Sequence, residues 1–204
     1  MKICILGNSL IFVKIIRDLH PNDQIDIVPW RSSLKSDKFY DLVYISGFDK
    51  SIYNKSFKVA LYRGYYKQFL FVKKLKARNN NINIFYMATK SKSKIIVSRY
   101  DFLKHRLAKK LVSIGGFYNV QLNFIVDGSG NPITNYGKIY SAGFHILRFF
   151  HLLDVCTVDL IKDMIRDAKY VDTYDEQFSF LLVSFPRPMI CDKFVKLLLV
   201  LTGV

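Results

Sequence analysis

Short runs of β-branched and aromatic residues alternate along this chain with longer segments whose apolar positions recur every three or four residues. The first pattern predicts strands and the second predicts helices. Lys2 to Leu6 is the first strand; it ends at Gly7-Asn8-Ser9, and Leu10 to Leu19 follows as a buried helix. Pro21-Asn22-Asp23 closes that helix, and Gln24 to Val28 is the second strand, with Pro29-Trp30-Arg31 at its end. Tyr40 to Gly47 is a third strand that runs into a small-residue turn at Ser46-Gly47. Beyond a polar loop, Val59 to Arg78 reads as a long helix with Phe69, Val72 and Leu75 on one face, stopped by Asn79-Asn80-Asn81. Ile82 to Met87 is a fourth strand with Ala88-Thr89 at its tip. The basic loop Lys90 to Lys94 leads to a helix with Leu103, Leu107, Ala108 and Leu111 at helical spacing, ending at Gly115-Gly116. Val120 to Val126 alternates as a further strand and closes at Asp127-Gly128-Ser129-Gly130-Asn131-Pro132, a strong turn signal.

Strands alternating with helices over this length predict an α/β fold with a doubly wound parallel sheet. The remainder is less regular. It contains a short amphipathic helix at Val158 to Ile165, begun by the Asp154 to Thr157 region, and an apolar helix at Met189 to Leu201 after Pro186-Arg187-Pro188. The expected division is a core over 1–132 and a smaller C-terminal region over 133–204 packed on it.

Composition adjusts this picture in three ways. Half of the 204 residues are hydrophobic, enough for a well-filled core, yet no uncharged apolar run is long enough to cross a bilayer. The three cysteines, Cys4, Cys156 and Cys191, are widely spaced, and with four scattered histidines they form no metal-site pattern. Reduced thiols and the absence of a signal-peptide pattern in the first residues suit a cytoplasmic protein. The net charge of +15 predicts attraction to an anion: nucleic acid, acidic lipid or a phosphorylated ligand.

Chemistry concentrates in two places. Tyr100 and Lys104 are four residues apart and so share a helix face. An ammonium beside a phenol favours the phenolate, which would let Tyr100 exchange a proton with a carbonyl or alcohol oxygen near neutral pH. The second place is the set of strand tips, Gly7, Arg31, Ser46-Gly47 and Thr89, because a parallel sheet binds ligands at the carboxyl ends of its strands. The first helix, opening after Gly7-Asn8-Ser9, offers unpaired N–H groups and a positive dipole end to a phosphate. Arg31, with no acid at its strand tip, suits a 2′-phosphate and thus NADP over NAD.

In this order the segments resemble the short-chain dehydrogenase/reductase superfamily, specifically its extended and atypical branch that acts on nucleotide sugars. Lys2 to Gly7 is similar to the first strand and glycine turn, and Asp41-Leu42-Val43-Tyr44-Ile45-Ser46-Gly47 to the Asp-x-Val-x-x-x-Ala-Gly strand. Ile84 to Thr89 resembles the strand ending in the catalytic Ser/Thr, with Tyr100 and Lys104 on the Tyr-x-x-x-Lys pair and Ser98 in the small-residue approach. Leu122 to Gly130 is similar to the next strand and its substrate-side loop, and Asp154 to Ile165 to a late helix. The resemblance implies a Rossmann-like fold and an NAD(P)-dependent reductase or epimerase acting on a nucleotide-linked sugar in surface polysaccharide synthesis. It further implies Tyr100 as acid/base, Lys104 as its partner and a contact to the nicotinamide ribose, and Thr89 as the group orienting the substrate oxygen. Gly7, Asn8, Ser9 and Leu10, with Arg31, Ser46 and Gly47, would hold the cofactor.

The chain departs from the family at the glycine turn. Only the first glycine of Gly-x-x-Gly-x-x-Gly remains, with Leu10 and Val13 at the other two positions, and the middle helix lacks the family's Asn near Leu61 to Gly64. A second reading follows from these departures: a non-catalytic relative that binds a partner enzyme or an acidic membrane surface through its basic, aromatic C-terminal part, or that forms a homodimer. A nucleic-acid binder has only the charge to support it, with neither an aromatic-basic RNA signature nor zinc spacing.

Overall fold

The computed structural model describes residues 1–7, 9–29, 38–46, 62–89, 95–96, 99–115, 117–122, 124–133, 144–145, 148–149, 155–171 and 180–181. In chain order the elements are β1 (Lys2–Leu6), α1 (Leu10–Leu19), β2 (Gln24–Val28), β3 (Leu42–Ile45), a π-helical turn (Tyr62–Tyr66) running directly into α2 (Lys67–Arg78), and β4 (Asn83–Thr89). Then come β5 (Ile95–Ile96), α3 (Arg99–Val112), β6 (Phe117–Leu122), β7 (Phe124–Val126), β8 (Val155–Thr157), α4 (Val158–Arg166) and β9 (Phe180–Leu181). The predicted helix at Met189 to Leu201 lies outside the described residues.

Five strands form one sheet in the order β2-β1-β3-β4-β6, with every pairing parallel. The chain steps to one side of β1 through α1 and then to the other side through β3, β4 and β6. Because parallel crossovers are right-handed, this reversal puts the helices on opposite faces. Strand alternation sorts the side chains accordingly. Ile3, Ile5, Leu42, Tyr44, Met87, Val120 and Leu122 meet α1 and α4, while Cys4, Leu6, Val43, Ile45, Ile84, Tyr86 and Phe117 meet α2 and α3. The sheet is thus buried on both faces, which is why its strands read as nearly continuous apolar runs. The Rossmann-like α/β architecture is the one expected from the sequence.

Helix ends follow local chemistry. Thr157 caps α4, its hydroxyl accepting a hydrogen bond from the Leu160 N–H at 3.3 Å. After α3, Gly115 takes a φ of +82° and its N–H donates to the Val112 carbonyl at 3.0 Å, a conformation that favours glycine. At the far end of α1, His20 Nε2 lies 2.8 Å from the Tyr44 hydroxyl and Nδ1 lies 3.2 Å from Asp23, tying α1 to β3 at the amino ends of the strands. Burial, and secondarily the Asp23 charge, pushes the Tyr44 phenol well above its ordinary range.

One predicted strand is corrected. The expected run Val120 to Val126 is two strands in different sheets: β6 starts earlier, at Phe117, and pairs with β4, whereas β7 pairs with β8. The alternation persists on both sides of Asn123, so the pattern alone shows no break. Strand β8, three residues long, carried no detectable period. The two-residue strands β5 and β9 pair with each other and were likewise not predicted.

Candidate functional site

The topological switch lies between β1 and β3, the neighbouring strands from which the chain departs in opposite directions. Ligands of open α/β sheets bind outside the carboxyl ends of the strands at this point. Gly7 closes β1 with a φ of +117°, a backbone state that L side chains rarely adopt. Its N–H donates to the Val28 carbonyl at 3.0 Å, and across the switch both the N–H and the hydroxyl of Ser46 reach the Leu6 carbonyl at 3.2 Å. The ends of β1, β2 and β3 are therefore laced into a fixed floor, from which α1 rises.

Ser9 is the N-cap of α1, yet its hydroxyl makes no capping hydrogen bond, and the first turn carries no acid. The first turn of the helix thus holds no side-chain counter-charge of its own. Leu10, at the position where the resembling family has its second glycine, is 86% exposed. Val13, at the third glycine position, is buried against the sheet. A glycine there permits close helix–strand approach; here a valine fills that contact as ordinary core. Asn8, Arg31 and Gly47 lie outside the described residues.

Tyr100 and Lys104 both belong to α3, Tyr100 in its first turn and Lys104 one turn deeper. Thr89 is the last residue of β4 and is in register with Leu122 of β6. Because α3 returns antiparallel to the strands, its first turn lies at their carboxyl ends, the end at which Thr89 sits. Tyr100 and Thr89 are described as backbone positions only. Lys104 is only 5% exposed, on the face that also buries Leu103, Leu107, Ala108 and Leu111. Its Nζ lies 5.9 Å from the centre of the Tyr86 ring, and the Tyr86 hydroxyl donates to the Lys104 carbonyl at 3.1 Å. Tyr86 lies three residues before Thr89 on β4, so one strand supports both the strand-tip hydroxyl position and the lysine of the helix.

Two residues at this face escaped sequence reasoning. Tyr86 is one; strand alternation from Ile84 was the available signal for its direction. The other is Gln68, near the start of α2, which is 1% exposed and has no hydrogen-bond partner for either amide atom among the described residues. A buried polar group left unpaired costs about 1–3 kcal/mol. Its signal was an uncharged polar residue at helical spacing from Phe71, Val72 and Leu75, on an otherwise apolar stripe.

No known family profile and no curated protein matches this chain. Solved structures do. A UDP-galactose 4-epimerase superposes with a TM-score of 0.59 at 11% identity, over 89% of this chain and 76% of that one. The ADP-L-glycero-D-manno-heptose-6-epimerase of Helicobacter pylori superposes with a TM-score of 0.54 at 10% identity, over 81% of this chain and 72% of that one. The chain shares the Rossmann-like α/β fold of these two epimerases. At such identities the likeness is one of backbone path. Within that fold, Gly7 ends the first strand and the Tyr100/Lys104 helix follows the Thr89 strand, the order expected from the sequence resemblance.

Proposed function

We propose that this protein is an NAD(P)-dependent enzyme of the short-chain dehydrogenase/reductase type, with reductase or epimerase chemistry on a nucleotide-linked sugar. The reading is supported by the order of the elements: Thr89 ends β4 and Tyr100 and Lys104 lie in the helix that follows, within a fold shared with two nucleotide-sugar epimerases. Tyr100 is the proton donor and acceptor at the substrate oxygen, Lys104 stabilises its phenolate, and Thr89 hydrogen-bonds the same oxygen.

The cofactor-binding part of the edge fits a pyrophosphate in its backbone. Gly7 makes the tight turn, the Ser9 hydroxyl is not used as a cap, and α1 presents its first turn without an acid. Gly7, Asn8, Ser9 and Leu10 would hold the phosphates, Ser46 and Gly47 would border the switch point, and Arg31 would select NADP by its charge. The nicotinamide, when bound, supplies hydride exchange. Surface polysaccharide synthesis is the role that suits a nucleotide-sugar substrate.

A non-catalytic relative is the competing reading, favoured by Leu10 at the glycine position. Calorimetric titration of the wild type and Leu10→Gly with NADP⁺ and NAD⁺ separates the two. The enzyme reading expects measurable binding, tighter for NADP⁺ and tighter still in Leu10→Gly, whose backbone can approach the pyrophosphate. Failure of both proteins to bind either cofactor at about millimolar concentration, an affinity of only about 4 kcal/mol, overturns it.

A further inference from the structure

The two helical layers flanking the sheet differ in charge. On one face, α1 carries Lys14, Arg17 and Asp18, and α4 carries Asp159, Lys162, Asp163 and Arg166. These signs are mixed and partly paired: Lys162 bonds Asp18 at 2.8 Å, and Arg166 bonds Asp163 at 3.1 Å. On the other face, α2 carries Lys67, Lys73, Lys74, Lys76 and Arg78 with no acid. Beside it α3 carries Arg106, Lys109 and Lys110. Lys73, Arg78, Arg106, Lys109 and Lys110 are exposed. At the π-helical end of the same layer, Tyr62 and Tyr66 are 52% and 45% exposed, with ring centres 6.1 Å apart.

We propose that the α2/α3 face docks onto a membrane surface rich in anionic phospholipid. Charge complementarity carries the proposal, since each lysine or arginine close to such a surface strengthens partitioning about fivefold. Three features favour lipid over nucleic acid. The cations are spread over two neighbouring helices rather than gathered on one element that enters a groove. They are mostly lysines, point charges without the planar fork that reads phosphates and bases in pairs. The exposed tyrosine pair combines apolar rings with hydroxyl tips, a combination suited to the headgroup level. The face is helical on the outside and sheet-backed, so docking leaves the opposite layer of α1 and α4 untouched. The proposal does not rest on the reaction proposed above, although α3 also carries Tyr100 and Lys104.

The test is co-sedimentation of the full chain with vesicles of phosphatidylcholine alone or with roughly one-third phosphatidylserine. Salt is raised from about 0.1 M to about 0.5 M to shorten the screening length. The expected result is binding to the phosphatidylserine vesicles that falls with salt. Lys73→Glu with Lys110→Glu lowers it by about tenfold or more, Tyr62→Ser with Tyr66→Ser lowers it less, and Lys14→Glu on the other face leaves it nearly unchanged. Circular dichroism confirms that each variant is folded. Absence of binding, equal binding to neutral vesicles, or an equal loss in Lys14→Glu overturns the proposal. Displacement from vesicles by a short DNA or RNA duplex that binds more tightly also overturns it, and assigns the face to nucleic acid.

Discussion

Lys104 brings an ammonium group into a helix face otherwise made of leucine and alanine, and the ring of Tyr86 lies beneath it. An aromatic face attracts a cation more strongly as water is withdrawn, which offsets part of the cost of burial. The same packing fixes the height of the lysine one turn below Tyr100. A lysine so confined cannot swing freely, so its charge is held on the buried side of the helix. The four-residue spacing was legible in the sequence; the Tyr86 platform was not, because it depends on which strand α3 packs against. If Tyr100 transfers the proton, Tyr100→Phe removes only the hydroxyl. Turnover with a nucleotide-sugar substrate should then fall about 10²–10⁴-fold, with circular dichroism and cofactor affinity unchanged. Retention of more than about a tenth of the wild-type rate in a steady-state assay would sink the assignment.

At the scale of elements, α4 is joined to α1 by its apolar residues Ile161 and Ile165 and by the ion pair of Lys162 with Asp18. The hydrogen bond from Lys162, reinforced by its charge and that of Lys14, holds the Asp18 carboxyl below its ordinary 3.8. A carboxylate whose folded pKa is depressed contributes stability that is present above its unfolded pKa and lost as pH falls through the folded value. The pair is solvent-accessible and its effect correspondingly small. Asp18→Asn should therefore leave thermal stability almost unchanged below about pH 3 and lower it slightly near pH 7. Melting curves across that range check the sign: a difference that grows toward acid would place the stabilisation elsewhere. The amphipathic pattern of α4 was readable, but its partner helix was not, since any apolar stripe can serve either face of a sheet.

At the scale of the whole molecule, β1 is the axis. It lies between β2 and β3, is covered on both faces, and its tip carries the glycine turn of the candidate site. Cys4, in the middle of this strand, is fully buried, and burial, with the nearby charge of Asp26, pushes its thiol well above the ordinary range. Thiolate chemistry is closed to it in the native state. In native buffer near pH 8, about half a unit below the pKa of a free thiol, alkylation of Cys4 followed by mass spectrometry should proceed only at the rate of global opening. It should become rapid in denaturant. Fast native labelling would mean that the central strand opens locally, and that the floor under Gly7 is less fixed than the hydrogen bonds imply. Among the described residues no helix is long and apolar enough to cross a membrane.

The sequence by itself determined the alternation of strands and helices, and with it the parallel α/β class. A strand buried on both faces must be apolar throughout, and a crossover helix must be amphipathic; both demands are local and leave a periodic trace. It also determined the positions of Gly7, Thr89, Tyr100 and Lys104 along their elements. Only the tertiary structure decided that the run from Val120 splits between two sheets, that Lys104 lies over Tyr86, and that Gln68 is buried. It alone decided that lysines scattered through the sequence gather on the α2/α3 face. These facts depend on which elements become neighbours. That choice is made by packing among residues far apart in the chain, for which a single sequence keeps no period.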